Sequence, residues 1–453
     1  MMTVQRSVSV AAGVFAPGHL GELTQIVPFE MVDAVLSRTR RAPSRVRALP
    51  PRVVVYLLLA AGLFEGLGYR QVWARLVAGL DHRGPPPSSS ALAQARARVG
   101  VAPLKALFEL LAGPPAGAVR WRGLLLCAID GTSMFVPDSP ANLAHYGRQS
   151  GSHGGSGYPM LRLVAVVTVV ACGTRTVIDA VFGPYATGEL AYAPALLRCL
   201  RPGMLLLADR NFAVADLIGK LSVTGSDLLI RCKNGRRLPR IAALPDGSFV
   251  AMLGSTRVRV IDAQITATLN GGGRRTGRYR LVTTLTDHHR YPAAELVKLY
   301  HQRWEIETTY LEIKSTTLSG RVLRARTPAG IDQEVYALLT AYQTLRTAIA
   351  DATLGTGLPA DRASFTTALQ TARDQVVHAA GIIADTTIDL PGRIGRAVLA
   401  DPMPARRARI SPRVVKRAIS KHRAKGTIDR TNHQATITIN VLIEPELTAA
   451  PGP

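Results

Sequence analysis

The stretch LVKLYHQRWEIETTYLEIK at residues 296–314 decides how the rest of the chain is interpreted. If it forms a helix, residues three, four and seven positions apart share one face, because an α-helix turns about every 3.6 residues. The polar residues with that spacing are Tyr300, Arg303, Glu307 and Lys314. The apolar residues that predict a buried stripe beside them are Leu299, Ile306 and Ile313. The spacing alone leaves two readings of the polar face: a solvated surface with weak ion pairs, or a site for a cation and a phosphate.

The composition favours a globular protein with a polyanionic partner. The chain has 453 residues, of which 47% are hydrophobic, so a well-buried core in more than one domain is expected. Its 55 Lys and Arg residues against 31 Asp and Glu residues give a net charge of +24. Phosphates attract such a surface. We expect nucleic acid and no membrane, because no basic cluster flanks a spanning segment.

Other features predict a cytoplasmic location. The most apolar run, residues 53–64, ends at Glu65 and is shorter than the roughly 20 residues that span a membrane. The N-terminus shows no secretory signal. Four widely spaced cysteines have the pattern of reduced core thiols: Cys127, Cys172, Cys199 and Cys232. The segment SGSHGGSGYP at 150–159 lacks the Gly-Lys-Ser/Thr ending of a nucleotide-binding loop, so no nucleotide cofactor is expected.

Changes in composition divide the chain into four regions. Residues 1–22 form a leader without a strong pattern. Residues 23–112 read as helices with a basic loop, which is either a DNA-recognition domain or a structural cap. Residues 121–350 carry the strand patterns. Residues 351–453 form a basic region, expected to be partly disordered, with ten Lys or Arg residues between 406 and 430.

The strand patterns predict an α/β fold with a ribonuclease-H-like mixed sheet. A short buried strand at 123–129 precedes a hairpin with strands at 162–172 and 174–183. Helices then alternate with strands at 203–208 and 227–232, the order produced by right-handed crossovers. Residues 233–278 predict a β-rich insertion that interrupts this core. The helical N-terminal domain and the basic C-terminal region flank it.

Asp130 and Asp209 each stand where a predicted buried strand ends. An Asp at such a position is usually a cap for a turn or helix. In the predicted order, however, the two strands are neighbours, which brings both carboxylates to the crevice at their carboxyl ends. Like charges held so close favour a cation, and Mg²⁺ accepts carboxylate oxygens. Glu307 would complete a site for two cations about 3.5–4 Å apart.

These motifs resemble those of DDE transposases of the insertion-sequence-four family. The polar face of residues 296–314 matches the YREK signature of that family at its usual spacing. The segments IDGT around Asp130 and ADRNF around Asp209 match its first and second Asp motifs. The resemblance covers residues 28–349, including the helical run RALPPRVVVYLLLA.

The resemblance implies cut-and-paste transposition of an insertion sequence, by metal-dependent hydrolysis of DNA at the element ends and transfer of the 3′-OH into target DNA. It assigns catalysis and the binding of two Mg²⁺ or Mn²⁺ ions to Asp130, Asp209 and Glu307. It assigns contacts with the DNA backbone to Tyr300, Arg303 and Lys314. It also implies that the β-rich insertion shields the DNA end.

Several expectations remain open at this stage. Arg210 binds DNA phosphate or pairs with a neighbouring acid, and Trp304 is expected to be a core aromatic residue. The expected partners are double-stranded DNA, as terminal inverted repeats and target, and a second copy of the chain in the DNA complex. The expected location is the bacterial cytoplasm, in association with the nucleoid. The alternative function is a catalytically inactive DNA-binding protein derived from a transposase, acting as a repressor or architectural factor; a nuclease without strand transfer is a third.

Overall fold

The computed structural model describes residues 18–41, 48–80, 85–115, 117–149, 157–169, 174–269, 273–382, 392–404, 409–410 and 433–442. Four features discussed above lie wholly or mostly outside these ranges. They are the leader, the glycine-rich segment at 150–159, Cys172 and the basic segment at 406–430.

The N-terminal region folds into helices, as its apolar spacing predicts. They are α1 (Phe29–Arg38), α2 (Pro51–Leu63), α3 (Tyr69–Val77), α4 (Ser89–Val99) and α5 (Ala102–Leu111). Pro51 starts α2 without loss of a hydrogen bond, and Ser88 caps α4 by accepting from the backbone N–H of Ala91. Helix α2 is buried on almost all sides, so its apolar run fills a core. Within the described residues, no helix is both long and apolar enough to cross a membrane.

The strands form one mixed sheet. They are β1 (Leu125–Phe135), β2 (Met160–Thr168), β3 (Val177–Pro184), β4 (Met204–Ala208), β5 (Asp227–Cys232), β6 (Ala242–Ala243), β7 (Phe249–Leu253), β8 (Thr256–Leu269), β9 (Arg274–Thr283), β10 (Arg409–Ile410) and β11 (His433–Val441). Their order is β10-β11-β8-β9-β5-β4-β1-β2-β3, with β7 beside β8 and β6 beside β7.

The half of the sheet from β3 to β5 has the ribonuclease-H-like arrangement that the sequence predicts. Strands β1, β2 and β3 are antiparallel neighbours, while β4 lies parallel to β1 and β5 parallel to β4. Strands β1 and β4 are adjacent, with Ile129 opposite Ala208. This adjacency, on which the pairing of the two Asp motifs depends, is therefore confirmed.

The predicted insertion extends this sheet. Strand β9 pairs antiparallel with β5, with Leu229 opposite Thr283, and β8 pairs with β9. From the C-terminal region, β11 then pairs with β8, with Ile439 opposite Ile265. The insertion therefore continues the sheet through β8 and the start of β9, while residues 280–283, just after the predicted insertion, complete the hydrogen bonds of β5.

Helices cover both faces of the sheet. The remaining ones are α6 (Pro140–Tyr146), α7 (Glu189–Tyr192), α8 (Ala215–Val223), α9 (Ala293–Tyr300), α10 (Glu305–Leu311), α11 (Pro328–Thr353), α12 (Phe365–Val377) and α13 (Gly392–Ala400). Alternate residues of β1 enter two apolar cores, with Leu126 facing the N-terminal helices and α11, and Cys127 facing α8. The helices of residues 23–112 thus share a core with the sheet, and the division into domains remains a prediction.

Candidate active site

The stretch 296–314 is helical, but it is not one continuous α-helix. Helix α9 passes into a 3₁₀ turn (His301–Trp304), then α10, then a π-helical turn (Glu312–Thr317) in which the N–H of Leu318 bonds to the carbonyl of Ile313 at 3.1 Å. The predicted apolar stripe is buried, with Leu299, Ile306 and Ile313 no more than 3% exposed. We call residues 293–317 the signature helix.

Asp130 does not stand at the end of its strand, contrary to the prediction. Strand β1 runs on to Phe135 because its antiparallel pairing with β2 continues, with Asp130 opposite Ala165. Only the parallel pairing with β4 stops, at Ile129 opposite Ala208. Asp130 and Asp209 are the next residues on these two neighbouring strands, which lie about 4.8 Å apart in any sheet. Both acids therefore stand at the same end of the parallel β1–β4 pairing.

Asp130 lies in a partly buried and charged environment. Its Oδ1 accepts from the N–H of Gly131 at 2.8 Å, and its Oδ2 accepts from Nη1 of Arg303 at 3.0 Å. Burial raises the pKa of Asp130 to about 6, although Arg303 lowers it, and the charge of Asp209 contributes to the rise. The Asp130 carboxylate is therefore held by one backbone donor and one guanidinium group.

Arg303 connects Asp130 to Glu307. Its Nη2 lies 3.4 Å from Oε1 of Glu307, whose side chain is 43% exposed. Among the residues that the structure describes, no three His, Cys, Asp or Glu side chains meet as a metal-binding group. Asp130 and Glu307 therefore both contact the guanidinium group of Arg303, which stands between them.

Tyr300 and Lys314 contact the strands that carry the acids. Tyr300 is buried, and its hydroxyl donates to the carbonyl of Ala208, the residue before Asp209, at 3.1 Å. Burial raises the pKa of Tyr300, so the hydroxyl stays a neutral donor. Lys314 Nζ donates to Oγ1 of Thr132 on β1 at 3.1 Å. Contact of these side chains with DNA remains a prediction.

Two other residues stand at the surface of this region. Arg210 is exposed on the turn after β4. Trp304 is 45% exposed, so the expectation that it is a core aromatic residue was wrong. Its position two residues before Ile306 places its ring outside the apolar stripe, with the Arg303 guanidinium carbon 5.9 Å from the ring centre.

Tyr310 was not recognised in the sequence, although it contacts the backbone of Asp130. Its hydroxyl donates to the carbonyl of Asp130 at 2.6 Å and accepts from the N–H of Ala165 at 3.2 Å. The hydroxyl thus stands between paired residues of β1 and β2. Its only signal in the sequence is a tyrosine four positions after Ile306, which also suits a plain core residue.

A buried charge cluster on the back of the signature helix was also missed. Arg175 Nε donates to Glu305 at 2.5 Å and its Nη1 donates to Glu312 at 2.9 Å. Glu312 further pairs with Arg346 and accepts from the hydroxyl of Tyr342 at 2.9 Å. Two arginines and two glutamates balance in charge here. The available signal was a pair of acids seven positions apart, each directly before a residue of the apolar stripe.

Glu189 is a further carboxylate beside the site that the sequence did not single out. It follows β3 and lies against Gly131 of the first Asp motif. Asn211 of the second Asp motif donates to it.

Known proteins match most of the chain. Residues 17–109 match the family described as "Insertion element 4 transposase N-terminal", and residues 121–344 match "Transposase DDE domain". The "Transposase InsG for insertion sequence element IS4" of Escherichia coli K12 is 29% identical over 328 residues, which are 70% of this chain and 74% of that protein. The "Putative transposase InsZ" of the same organism is 31% identical over 207 residues, 44% of this chain and 66% of that protein.

A solved structure is similar at lower identity. The piggyBac transposase synaptic complex with hairpin DNA aligns with a TM-score of 0.41 and 11% identity, over 85% of this chain and 84% of that one.

Proposed function

Since this chain belongs to the insertion-sequence-four family of DDE transposases, which are DNA-cleaving enzymes, we propose that it catalyses cut-and-paste transposition of its own element. The reaction is hydrolysis of DNA phosphodiesters at the element ends, followed by attack of the freed 3′-OH on target DNA. The observation that carries this proposal is the arrangement of Asp130 and Asp209 at the same end of two parallel neighbouring strands, with Glu307 joined to Asp130 through Arg303.

The carboxylates at this end of β1 and β4 suit a divalent cation. Asp130 and Asp209 offer the carboxylate oxygens that Mg²⁺ and Mn²⁺ accept, and a cation would stabilise the charged form of Asp130, whose pKa is raised mainly by burial and to a smaller extent by the charge of Asp209. Glu307 would join them once its side chain leaves Arg303. We propose two ions per site, bound by these three carboxylates. Bound there, the ions would supply Lewis-acid stabilisation of the charge that develops on the phosphate.

The basic residues of the site suit the DNA backbone. Arg303 presents a planar guanidinium group with several donors, and Lys314 a point charge, at opposite ends of α10. Arg210 adds an exposed cation on the turn that carries Asp209. We propose that these three bind phosphates of the element end, and that Tyr300 reaches the same backbone. Two copies of the chain would act together on paired ends.

Single replacement of each carboxylate tests this function. The substrate is a duplex that carries the terminal repeats found beside the gene, incubated with the protein and Mg²⁺ or Mn²⁺. We expect D130A, D209A and E307A to lose at least about a hundredfold in strand cleavage, since each group acts on the charge of the transition state. Asp216→Ala, an exposed carboxylate on α8, is the matched control. Wild-type cleavage by all three variants would overturn the proposal, and binding of the repeats without cleavage by the wild-type protein would favour the inactive DNA-binding alternative.

A further inference from the structure

We propose that Glu189 is a positioning residue of the active site, which holds the turn of Asp209 against the strand of Asp130. The inference rests on the proposed function of those two acids. It assigns a role to Gly131 and Asn211, which belong to the two Asp motifs but have no part in the chemistry above.

Glu189 connects three elements through its two carboxylate oxygens. Its Oε1 accepts from Nη1 of Arg162 on β2 at 2.9 Å, and its Oε2 accepts from Nδ2 of Asn211 at 3.0 Å. The backbone N–H of Asn211 in turn donates to Oδ1 of Asp209 at 2.8 Å. A continuous series of bonds thus runs from β2, through Glu189, to the carboxylate of Asp209.

The strand of Asp130 is shaped to accommodate this side chain. A Cβ atom placed on Gly131 would lie 2.5 Å from both Cγ and Oε1 of Glu189, well inside van der Waals contact. The φ angle of Gly131 lies outside the left-handed region, so its backbone conformation does not require glycine. Glycine is needed here because a Cβ atom would overlap Glu189. Glu189 therefore crosses directly over the residue that follows Asp130.

The ion pair that holds Glu189 is partly withdrawn from water. The side chains of Glu189 and Arg162 are 20% and 16% exposed. Arg162 is itself fixed, because its Nε and Nη2 donate to the carbonyl of Tyr185 at 3.3 and 3.2 Å. Since both oxygens of Glu189 bind donors of the protein, its role is to orient the Asp209 turn. Loss of a partner that orients a catalytic residue typically lowers activity about ten- to a hundredfold.

The first experiment separates positioning from general stability. In the cleavage assay with the terminal-repeat duplex, we expect Glu189→Gln and Asn211→Ala each to lower kcat about ten- to a hundredfold, with the Kd for the duplex within about twofold of wild type. The double variant should be no worse than the worse single one, because both changes break the same connection. Asp179→Asn removes the negative charge that pairs with Arg198, so this variant controls for the loss of an ion pair outside the site. The proposal fails if Glu189→Gln behaves like that control, or if higher Mn²⁺ concentration restores its full kcat, which would make Glu189 a metal ligand.

A second experiment needs no activity. Gly131→Ala should lower the thermal midpoint of the wild-type protein but leave that of Glu189→Ala almost unchanged, because the clash exists only with the longer side chain. Equal shifts in both backgrounds would overturn the placement of Glu189. If the wild-type protein does not cleave, the proposed function fails, whereas the dependence of the Gly131→Ala shift on Glu189 still decides the contact.

Discussion

Glu312→Gln is expected to destabilise the protein strongly, although it changes one atom. The carboxylate of Glu312 is 8% exposed and binds Arg175, Arg346 and the hydroxyl of Tyr342. Glutamine keeps the shape but removes the charge that balances Arg346, whose side chain is fully buried. Removing one partner of a buried ion pair costs about 3–5 kcal/mol, because the other charge stays in a medium that solvates it poorly.

Urea unfolding followed by tryptophan fluorescence measures this change. Asp216→Asn is the control, because Asp216 pairs with Lys220 on the exposed surface of α8, where such a pair contributes at most about 1 kcal/mol. The double variant Glu312→Leu with Arg346→Met should lose less stability than Glu312→Gln, since it leaves no unbalanced charge there. A loss for Glu312→Gln within about 1 kcal/mol of the control would refute this account of the cluster.

Three further predictions test other parts of the structure. Tyr310→Phe removes the hydroxyl between β1 and β2, so the free energy of unfolding should fall by about 1–3 kcal/mol and DNA cleavage should fall while duplex binding is kept. Gly79→Ala would place a Cβ 2.4 Å from the carbonyl carbon of His378 and should cost about 1–3 kcal/mol, whereas Gly219→Ala in α8 meets nothing within 4 Å and should stabilise by about 0.5–1 kcal/mol. Burial lowers the pKa of His19, so the unfolded chain binds a proton more readily than the folded one, and the free energy of unfolding should decline as pH falls below about 6.5, by at most about 1.4 kcal/mol per pH unit. Urea titrations at several pH values should show a smaller decline for His19→Gln.

The central sheet could be predicted because each step was local or governed by a topological rule. Short apolar runs marked the strands, and the crossover rule made β1 and β4 neighbours, which brought Asp130 and Asp209 together. The end of β1 was misplaced because the pattern shows where apolar residues stop, at Ile129, while the strand continues through its antiparallel pairing with β2.

The contacts that the sequence did not reveal join residues far apart in the chain. Glu189 and Asn211 are 22 positions apart, and Tyr310 and Asp130 are 180 apart, so no periodic pattern relates them. Strand β11 raises the same difficulty, because nothing in its alternation specifies β8 as its partner. Trp304 was misjudged for a different reason: it stands five positions after Leu299 and two before Ile306, so at 3.6 residues per turn it faces away from the apolar stripe even in an ideal helix.

The signature helix is attached to the site through the backbone of the acid-bearing strands. Tyr300 donates to the carbonyl of Ala208, just before Asp209, and Tyr310 donates to the carbonyl of Asp130 itself. Both bonds involve main-chain groups, so they fix the distance between helix and strands without engaging either carboxylate. On the opposite side, Glu305 and Glu312 hold the helix to Arg175. Since these contacts hold the helix in place, Arg303, Glu307 and Lys314 can serve the charge chemistry that we propose at the end of the β1–β4 pairing, while Tyr300 fixes the position of the residue before Asp209.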